Sequence, residues 1–456
     1  MKFDRLYLKS LISIAVPIMI QNLVTAALNA IDVIMIGQMG ETAVASVGLA
    51  NQITFLANFL IFGITSGSAV FAAQFWGKRD VPSIRRVVGA AVLMSVGGAL
   101  IFSVFAVGFP NAALSIYTED SAVIELGGRY LSIVGFSYPF LAITLSFGSI
   151  LRSSGRVRIP VFCSVIAIIL KTGLSYLLIF GKLGFPEMGI PGAALGTLVA
   201  RIVETTLVLI LTYSRRTPAA ASLADLFHFQ SSFWKPFLKT TLPVVVNETF
   251  WSLGISVYNL IYARIGTEAV AAVNITATIE SLAFVVFIGI SNACGILVGN
   301  KIGAGEEQTA FTYARRTLII ATIGALLMGL VIMLFADHVL AFYRVSPEVK
   351  EYARRILLVI SLTLWIRINN MTIIVGILRS GGDTRFGLIL DVGTVWLVGI
   401  PMAAVGAFVF HLPVYYVYPL VMMDELTKCI IGWFRVFSRK WINNLTITGS
   451  TIEVTE

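Results

Sequence analysis

The chain is a succession of long apolar runs separated by short breaks of charged residues, glycine and proline, and this pattern constrains its fold most. The runs predict helices near 9–37, 46–76, 87–109, 121–151, 159–180, 192–213, 237–264, 270–300, 316–336, 349–378, 386–410 and 414–437. A bilayer crossing needs about 20 predominantly apolar residues, so twelve crossings and their loops consume nearly all of the 456 residues. Lipid cannot satisfy backbone N–H and C=O groups, so a chain of such runs must be helical throughout. Only 12% of the residues are charged and 57% are hydrophobic, whereas soluble domains carry about 25% charged residues. A soluble enzyme is excluded, and the expected fold class is an all-α polytopic membrane protein.

Charge placement predicts the orientation. The loops after the even helices carry Lys78, Arg79, Arg85 and Arg86, then Arg152, Arg156 and Arg158, then Arg215, Arg216, Lys235 and Lys239, then Lys301, Arg315 and Arg316, then Arg379 and Arg385. Lys2, Arg5 and Lys9 precede the first helix, and Arg435, Arg439 and Lys440 follow the last. By the positive-inside rule both termini are expected in the cytoplasm, with the chain in the cell (inner) membrane. The ninth connection departs from the rule, but its Arg344, Lys350, Arg354 and Arg355 are offset by Asp337, Glu348 and Glu351. The net charge of +9 is spread over many short loops and forms no basic face, so no nucleic-acid partner is expected. Cys163, Cys294 and Cys429 lie in apolar runs without CxxC spacing, which predicts neither a disulfide framework nor a zinc site. No GxxxxGK[ST], HExxH, GxSxG or DDxxD run occurs, so neither ATP-driven transport nor enzymatic catalysis is expected.

An internal repeat organises the twelve helices. A shift of 226 residues superposes Pro17 on Pro243, Gly40 on Gly266, Ala43-Val44-Ala45 on Ala269-Val270-Ala271, Gly63 on Gly289 and Gly77 on Gly303. After one inserted residue, ILRSSGRVR at 150–158 falls on ILRSGGDTR at 377–385. The first helix follows a basic start in the manner of a signal peptide, but its place in the repeat argues against cleavage. The expected organisation is an N-lobe at 1–213 (helices 1–6), a cytoplasmic linker at 214–236, and a C-lobe at 237–456 (helices 7–12 and a cytoplasmic tail). Six helices is an even number, so the halves enter the membrane in the same sense and are expected to flank a cleft.

Ionisable groups inside membrane helices are costly and usually face a cavity or a partner. In the first helix Gln21, Thr25, Asn29 and Asp32 form a polar stripe ending in a carboxylate. In its repeat mate Asn247 and Glu248 lead to Trp251 and Tyr258. Gln21, Asn29, Asn247, Trp251 and Tyr258 are therefore nominated as substrate contacts. Glu280 and Asp391 are secondary candidates, equally compatible with pairing between helices. Arg201 with Glu204, and Asp424 or Glu425 with Lys428, have the three- or four-residue spacing of intrahelical packing pairs. Met35 and Met371 could line a cavity or simply fill the core.

The run AVPIMIQNLVTAALNAIDVIMIGQMGETAVASVGLA, the QFWGKRD and GILRSGGDTR loops and the TLPVVVNETFWSLG opening of the second half resemble the multidrug and toxic compound extrusion (MATE) family. The resemblance is closest to the family's bacterial branches and covers essentially the whole chain. It implies two lobes around a central cavity and antiport of amphipathic, often cationic, organic compounds against H⁺ or Na⁺, with no other cofactor. It also implies a monomer whose partners are a small-molecule substrate and membrane lipid. The family's N-lobe site has an aspartate on helix 1, an asparagine and a second polar residue on helix 5, and a threonine on helix 6. Asp32 and Thr197 match it, but Lys171 stands at the asparagine and Ser175 where an aspartate is often found. An ammonium beside Asp32 would repel Na⁺ and hold the carboxylate ionised, so H⁺ is expected over Na⁺. Alternatively, Lys171 snorkels to an interface and never meets Asp32. In the norfloxacin-exporter branch a helix 7 glutamate pairs with a helix 10 aspartate. Glu248 fits the first, but the second region offers Arg367, Asn369 and Asn370, with Arg367 a candidate to neutralise Glu248. The rival reading is a flippase of lipid-linked or polysaccharide substrates in the same wider superfamily, for which a more basic cavity is expected.

Overall fold

The computed structural model describes residues 5–227, 231–343 and 345–446. All regular structure among them is helical, and twelve spans follow the predicted order. They are α1 (Arg5–Gly37), α2 (Glu41–Gly77), α3 (Val81–Gly108), α4 (Ser121–Gly135 continuing as Tyr138–Ser153), α5 (Arg158–Phe180), α6 (Ile190–Ser214), α7 (Ser231–Ile265), α8 (Thr267–Gly303), α9 (Glu307–Ala341), α10 (Pro347–Leu378), α11 (Thr384–Val409) and α12 (Val414–Phe437). Lys2 and Arg344 lie outside the described residues, as does part of the linker. Among the described residues nine of these helices are long and apolar enough to cross a bilayer, and α4 makes a tenth as a bent pair. The other two carry the most polar interiors. Every 18-residue stretch of α12 includes Asp424, Glu425 and Lys428, while Asn247, Glu248 and Asn259 dilute the apolar run of α7.

Local chemistry explains the breaks. The fourth span, predicted as one helix over 121–151, bends by 45° between Gly135 and Tyr138. Pro139 has no N–H to offer the Gly135 carbonyl four residues back, and Ser103 Oγ donates to that carbonyl instead at 2.6 Å. The two repeat loops after α4 and α10 turn through Gly155 (φ 76°) and Gly382 (φ 74°), the left-handed conformation that glycine adopts without steric cost.

The chain forms two compact units, Ile20–Val245 and Met1–Met19 with Val246–Glu456. These units group two helices differently from the expected division, with α1 up to Met19 packing in the second unit and α7 through Val245 in the first. Packing accounts for both. On α1, Tyr7 bonds Thr317 Oγ1 at 2.6 Å and packs on the Tyr313 ring at 4.7 Å. On α7, Phe237 packs on Phe71 with ring centroids 5.5 Å apart. Gly63 and Gly67 of α2 admit the backbone of Val245 and Thr241, where a Cβ would come within about 2.8 Å. The two cuts sit at equivalent repeat positions, two residues after Pro17 and Pro243. Each unit has its own apolar core. Ala50, Ile61, Leu131 and Tyr138 centre the first, and Ala272, Ile356, Leu364 and Val417 centre the second. For brevity they are called the N-lobe and C-lobe. All three cysteines are buried and free.

Candidate functional site: charged groups inside the two lobes

The N-lobe encloses a cavity of about 550 Å³. Its wall is built by α1 through Asn29, Asp32 and Met35, by α2 through Asn51 and Thr54, and by α4 through Tyr130. Lys171 and Ser175 of α5 and Thr197 and Arg201 of α6 complete it. The three-turn stripe on α1 thus delivers its last two polar members, Asn29 and Asp32, to open space, whereas Gln21 is half-buried and outside this lining.

Lys171 Nζ lies 2.5 Å from Asp32 Oδ2, so the lysine meets the carboxylate rather than snorkelling away. Among the described residues no hydroxyl, amide or backbone N–H supports either Asp32 oxygen. The ammonium is the carboxylate's one close partner there, and it retains 26% of its side-chain exposure. Thr197 shares the wall, but its hydroxyl donates to the Ala193 carbonyl of its own helix at 3.0 Å. Arg201 pairs with Glu204 at 2.7 Å, as its spacing predicts, and Ser164 adds a hydrogen bond to Glu204 at 2.6 Å.

The C-lobe is organised differently, as a chain of charges linked between helices, in which Asp424 Oδ1 alone among the described carboxylate oxygens is buried without a hydrogen-bond partner. Lys428 of α12 lies 2.8 Å from Asp391 of α11 and 3.6 Å from Glu425 one turn earlier. Asn247 Nδ2 donates to Asp391 at 3.2 Å, and Asn370 Nδ2 donates to Glu425 Oε2 at 2.6 Å. Tyr258 donates its hydroxyl to Asp424 at 3.1 Å. The local Lys428–Glu425 pair expected from spacing is therefore the weaker contact of a network that crosses helices. Tyr258 is buried in the lobe, Trp251 packs against its core, and Asn247 is committed to Asp391. Asn369 spans Thr322 Oγ1 at 2.8 Å and the Trp365 carbonyl at 2.7 Å.

The expected partner of Glu248 needs correction. Arg367 pairs with Glu280 and lies over the Phe284 ring, while Glu248 is held by Arg379 at 2.5 Å. Sequence reasoning counted Arg379 among the loop cations and missed it. The backbone passes through π-type turns over Thr372–Leu378 immediately before it, and its side chain is only 6% exposed. A signal was present, because Arg379 ends an apolar run at the repeat position of Arg152. Arg152 has no such partner, since Asn22 stands where the repeat places Glu248.

Twelve helices in two pseudo-repeated units, with ionisable groups buried in each, define a polytopic membrane transporter. The MatE family model matches residues 17–177 and 243–405, and the chain belongs to this family, the multidrug and toxic compound extrusion transporters. It is 24% identical over 446 residues to "Probable multidrug resistance protein NorM" of Thermotoga maritima, covering 98% of this chain and 95% of the relative. The corresponding Rhizobium meliloti protein is 27% identical, with 87% and 85% covered. Among solved structures, "MATE in the bent conformation" superposes with a TM-score of 0.85 at 20% identity, covering 97% of both chains. A Pyrococcus furiosus transporter described by the phrase "Reverse polarity of binding pocket suggests different function of a MOP superfamily transporter" superposes with a TM-score of 0.83 at 20% identity, covering 94% and 95%. These likenesses carry the fold.

Proposed function

We propose that the protein is an H⁺-coupled antiporter that exports amphipathic, cationic organic compounds by alternating access, with both termini in the cytoplasm. The observation that carries this reading is the Asp32–Lys171 pair in the N-lobe cavity. One cation supports this carboxylate, so a competitor can displace it. A cationic compound competes with Lys171 for Asp32, and a proton on Asp32 removes the negative charge that both cations need. Proton entry from the acidic side therefore releases the compound, and loss of the proton on the other side restores affinity. Na⁺ is disfavoured because the Lys171 ammonium already neutralises the carboxylate, and a small hydrated ion brings no apolar contacts to offset displacing it. Glu248, Glu280 and Asp391 are paired with cations and Asp424 with the Tyr258 hydroxyl inside the C-lobe, whereas the Asp32 pair lines an open cavity, which makes Asp32 the primary coupling group of this reading. Relatives named as multidrug resistance proteins support the substrate class.

One observation favours a second reading. The lining holds Lys171 and Arg201 against one acid, Asp32, with Glu204 pairing Arg201 from outside the lining. The side chains that face the cavity thus carry the more basic polarity expected of an exporter or flippase of anionic, lipid-linked substrates. Efflux of a fluorescent cationic dye from proteoliposomes decides between them, measured under a pH gradient alone, a Na⁺ gradient alone, or neither. Drug antiport predicts pH-driven efflux that Asp32→Asn abolishes and that Lys171→Asn makes responsive to Na⁺. If neither gradient moves dye through the unmodified protein, the lipid-linked reading replaces it. If Lys171→Asn transports with unchanged ion dependence, the lysine has no part in coupling.

A further inference from the structure

A second, smaller cavity of about 230 Å³ lies on α3 away from the charged sites. Its wall is apolar, with Gly89, Leu93, Val96, Gly97 and Leu100 on one face of the helix and Leu226 of the linker closing one end. The two glycines act differently: Gly97 leaves the groove open, and Gly89 admits the linker that closes one end. At Gly97 a Cβ would meet nothing within 4 Å, while at Gly89 it would collide with the Leu226 backbone. Leu93 and Leu100 are about half exposed, so the groove opens on the lipid-facing surface of the span.

The same helix face continues into Arg85 and Arg86, four and three residues before Gly89. Arg86 is half-buried and has no acidic partner among the described residues. Arg85 reaches Asp225 of the linker only at 3.4 Å, and its Nε–H, shielded from solvent, meets no acceptor. Asp225 is meanwhile engaged elsewhere. It accepts from the Ser222 N–H at 3.0 Å, and its own N–H donates to Ser222 Oγ at 3.1 Å. Two guanidinium groups with donors to spare thus stand on the same helix face, one turn beyond the Leu226 end of the apolar groove.

We propose that this groove is a binding site for an anionic phospholipid, with an acyl chain along Gly89–Leu100 and the headgroup phosphate on Arg85 and Arg86 in competition with Asp225. Guanidinium matches phosphate through paired N–H donors. The carboxylate of Asp225 mimics the headgroup, so the lipid and the linker contend for Arg85.

Native mass spectrometry of the full-length protein in detergent, titrated with dioleoylphosphatidylglycerol or dioleoylphosphatidylcholine, tests this. One phosphatidylglycerol should be retained in preference to phosphatidylcholine, and millimolar inorganic phosphate should not displace it. Arg86→Gln should weaken retention about fivefold, the effect of one basic residue at an anionic headgroup. Gly97→Phe, which fills the open slot, should weaken both lipids alike. Asp225→Asn should strengthen phosphatidylglycerol binding by removing the competitor, a gain that misfolding would not produce. Equal retention of the two lipids, or an unchanged preference in Arg86→Gln and Asp225→Asn, would overturn the proposal.

Discussion

The two lobes descend from one repeat, yet they treat buried charge in opposite ways. In the N-lobe, Asp32 has a single ionic partner in a cavity of about 550 Å³. In the C-lobe, Asp391, Glu425, Glu248 and Glu280 each meet a cation, the amides of Asn247 and Asn370 add hydrogen bonds, and Asp424 takes the Tyr258 hydroxyl. A buried ion pair barely offsets its own desolvation and becomes strongly destabilising when one member is removed. The C-lobe network is consequently a poor place to take up and release an ion during each cycle. An ion pair beside a cavity can be opened with far less penalty, since water or substrate replaces the lost partner. On the proposed mechanism, the C-lobe charges chiefly hold helices in register and exchange falls to the N-lobe pair.

The largest test of this contrast is Lys428→Met. It leaves Asp391 and Glu425 without their shared cation, and the expected cost approaches the upper end of about 3–5 kcal/mol. Thermal unfolding in detergent reads the loss. Adding Asp391→Asn to Lys428→Met should recover much of it, because a neutral amide in place of the carboxylate removes one stranded charge. A loss below about 1 kcal/mol would mean that the network is solvated and that the lobes do not differ in kind.

A second comparison uses equivalent positions of the repeat. Arg379→Gln strands Glu248 and should cost about 3 kcal/mol. Arg152→Gln removes a half-buried cation with no acidic partner among the described residues, so it strands no carboxylate, and its unfolding midpoint should hold or rise by up to about 1 kcal/mol. Equal effects would show that both arginines act through packing of their stems rather than through charge.

These pairs also show what was legible beforehand. The twelve spans and the repeat could be read because both are patterns along the chain, namely apolar length and residues recurring at a fixed shift. Asp32 was legible as the end of a polar stripe on the first helix, and the family resemblance supplied Lys171 and Thr197 as its neighbours because it says which helices face one another. Where partners had to be guessed from spacing alone, local geometry misled. Lys428 was matched to Asp424 or Glu425 on its own helix, and the Glu425 contact is present at 3.6 Å, but its shorter contact is to Asp391 on another helix. Arg367 was matched to Glu248, although depth and rotation put Arg379 there. Spacing encodes neighbours on one helix, whereas an interhelical pair depends on the rotation and depth of two helices at once. The reassignment of α1 and α7 between units escaped for the same reason, because helix continuity says nothing about which core each half enters.

The smallest expected difference lies at the loops that open the third helix of each half. Asp80 and Glu306 are separated by the repeat shift of 226, and each directly precedes or flanks a helix start. Asp80 caps α3, accepting from the Ser83 N–H at 3.1 Å and its hydroxyl at 2.7 Å. Glu306, one methylene longer, makes no cap at α9 and turns instead to Lys301 at 2.9 Å. Asp80→Ala should therefore cost about 1 kcal/mol, the usual effect of losing an N-cap. Glu306→Ala removes a pair that is half exposed and screened, so only a few tenths of a kcal/mol are expected. The hydrogen bonds from Lys301 hold the Glu306 carboxyl below its ordinary range. Its small contribution is thus fully present above the unfolded-state value of about 4.3 and is lost as pH falls through the lower folded value. Unfolding midpoints of the parent and Glu306→Gln should converge as the pH is lowered past that range. A gap that widens on acidification would mean that Glu306 is stabilised in its protonated form and that Lys301 is not its effective partner.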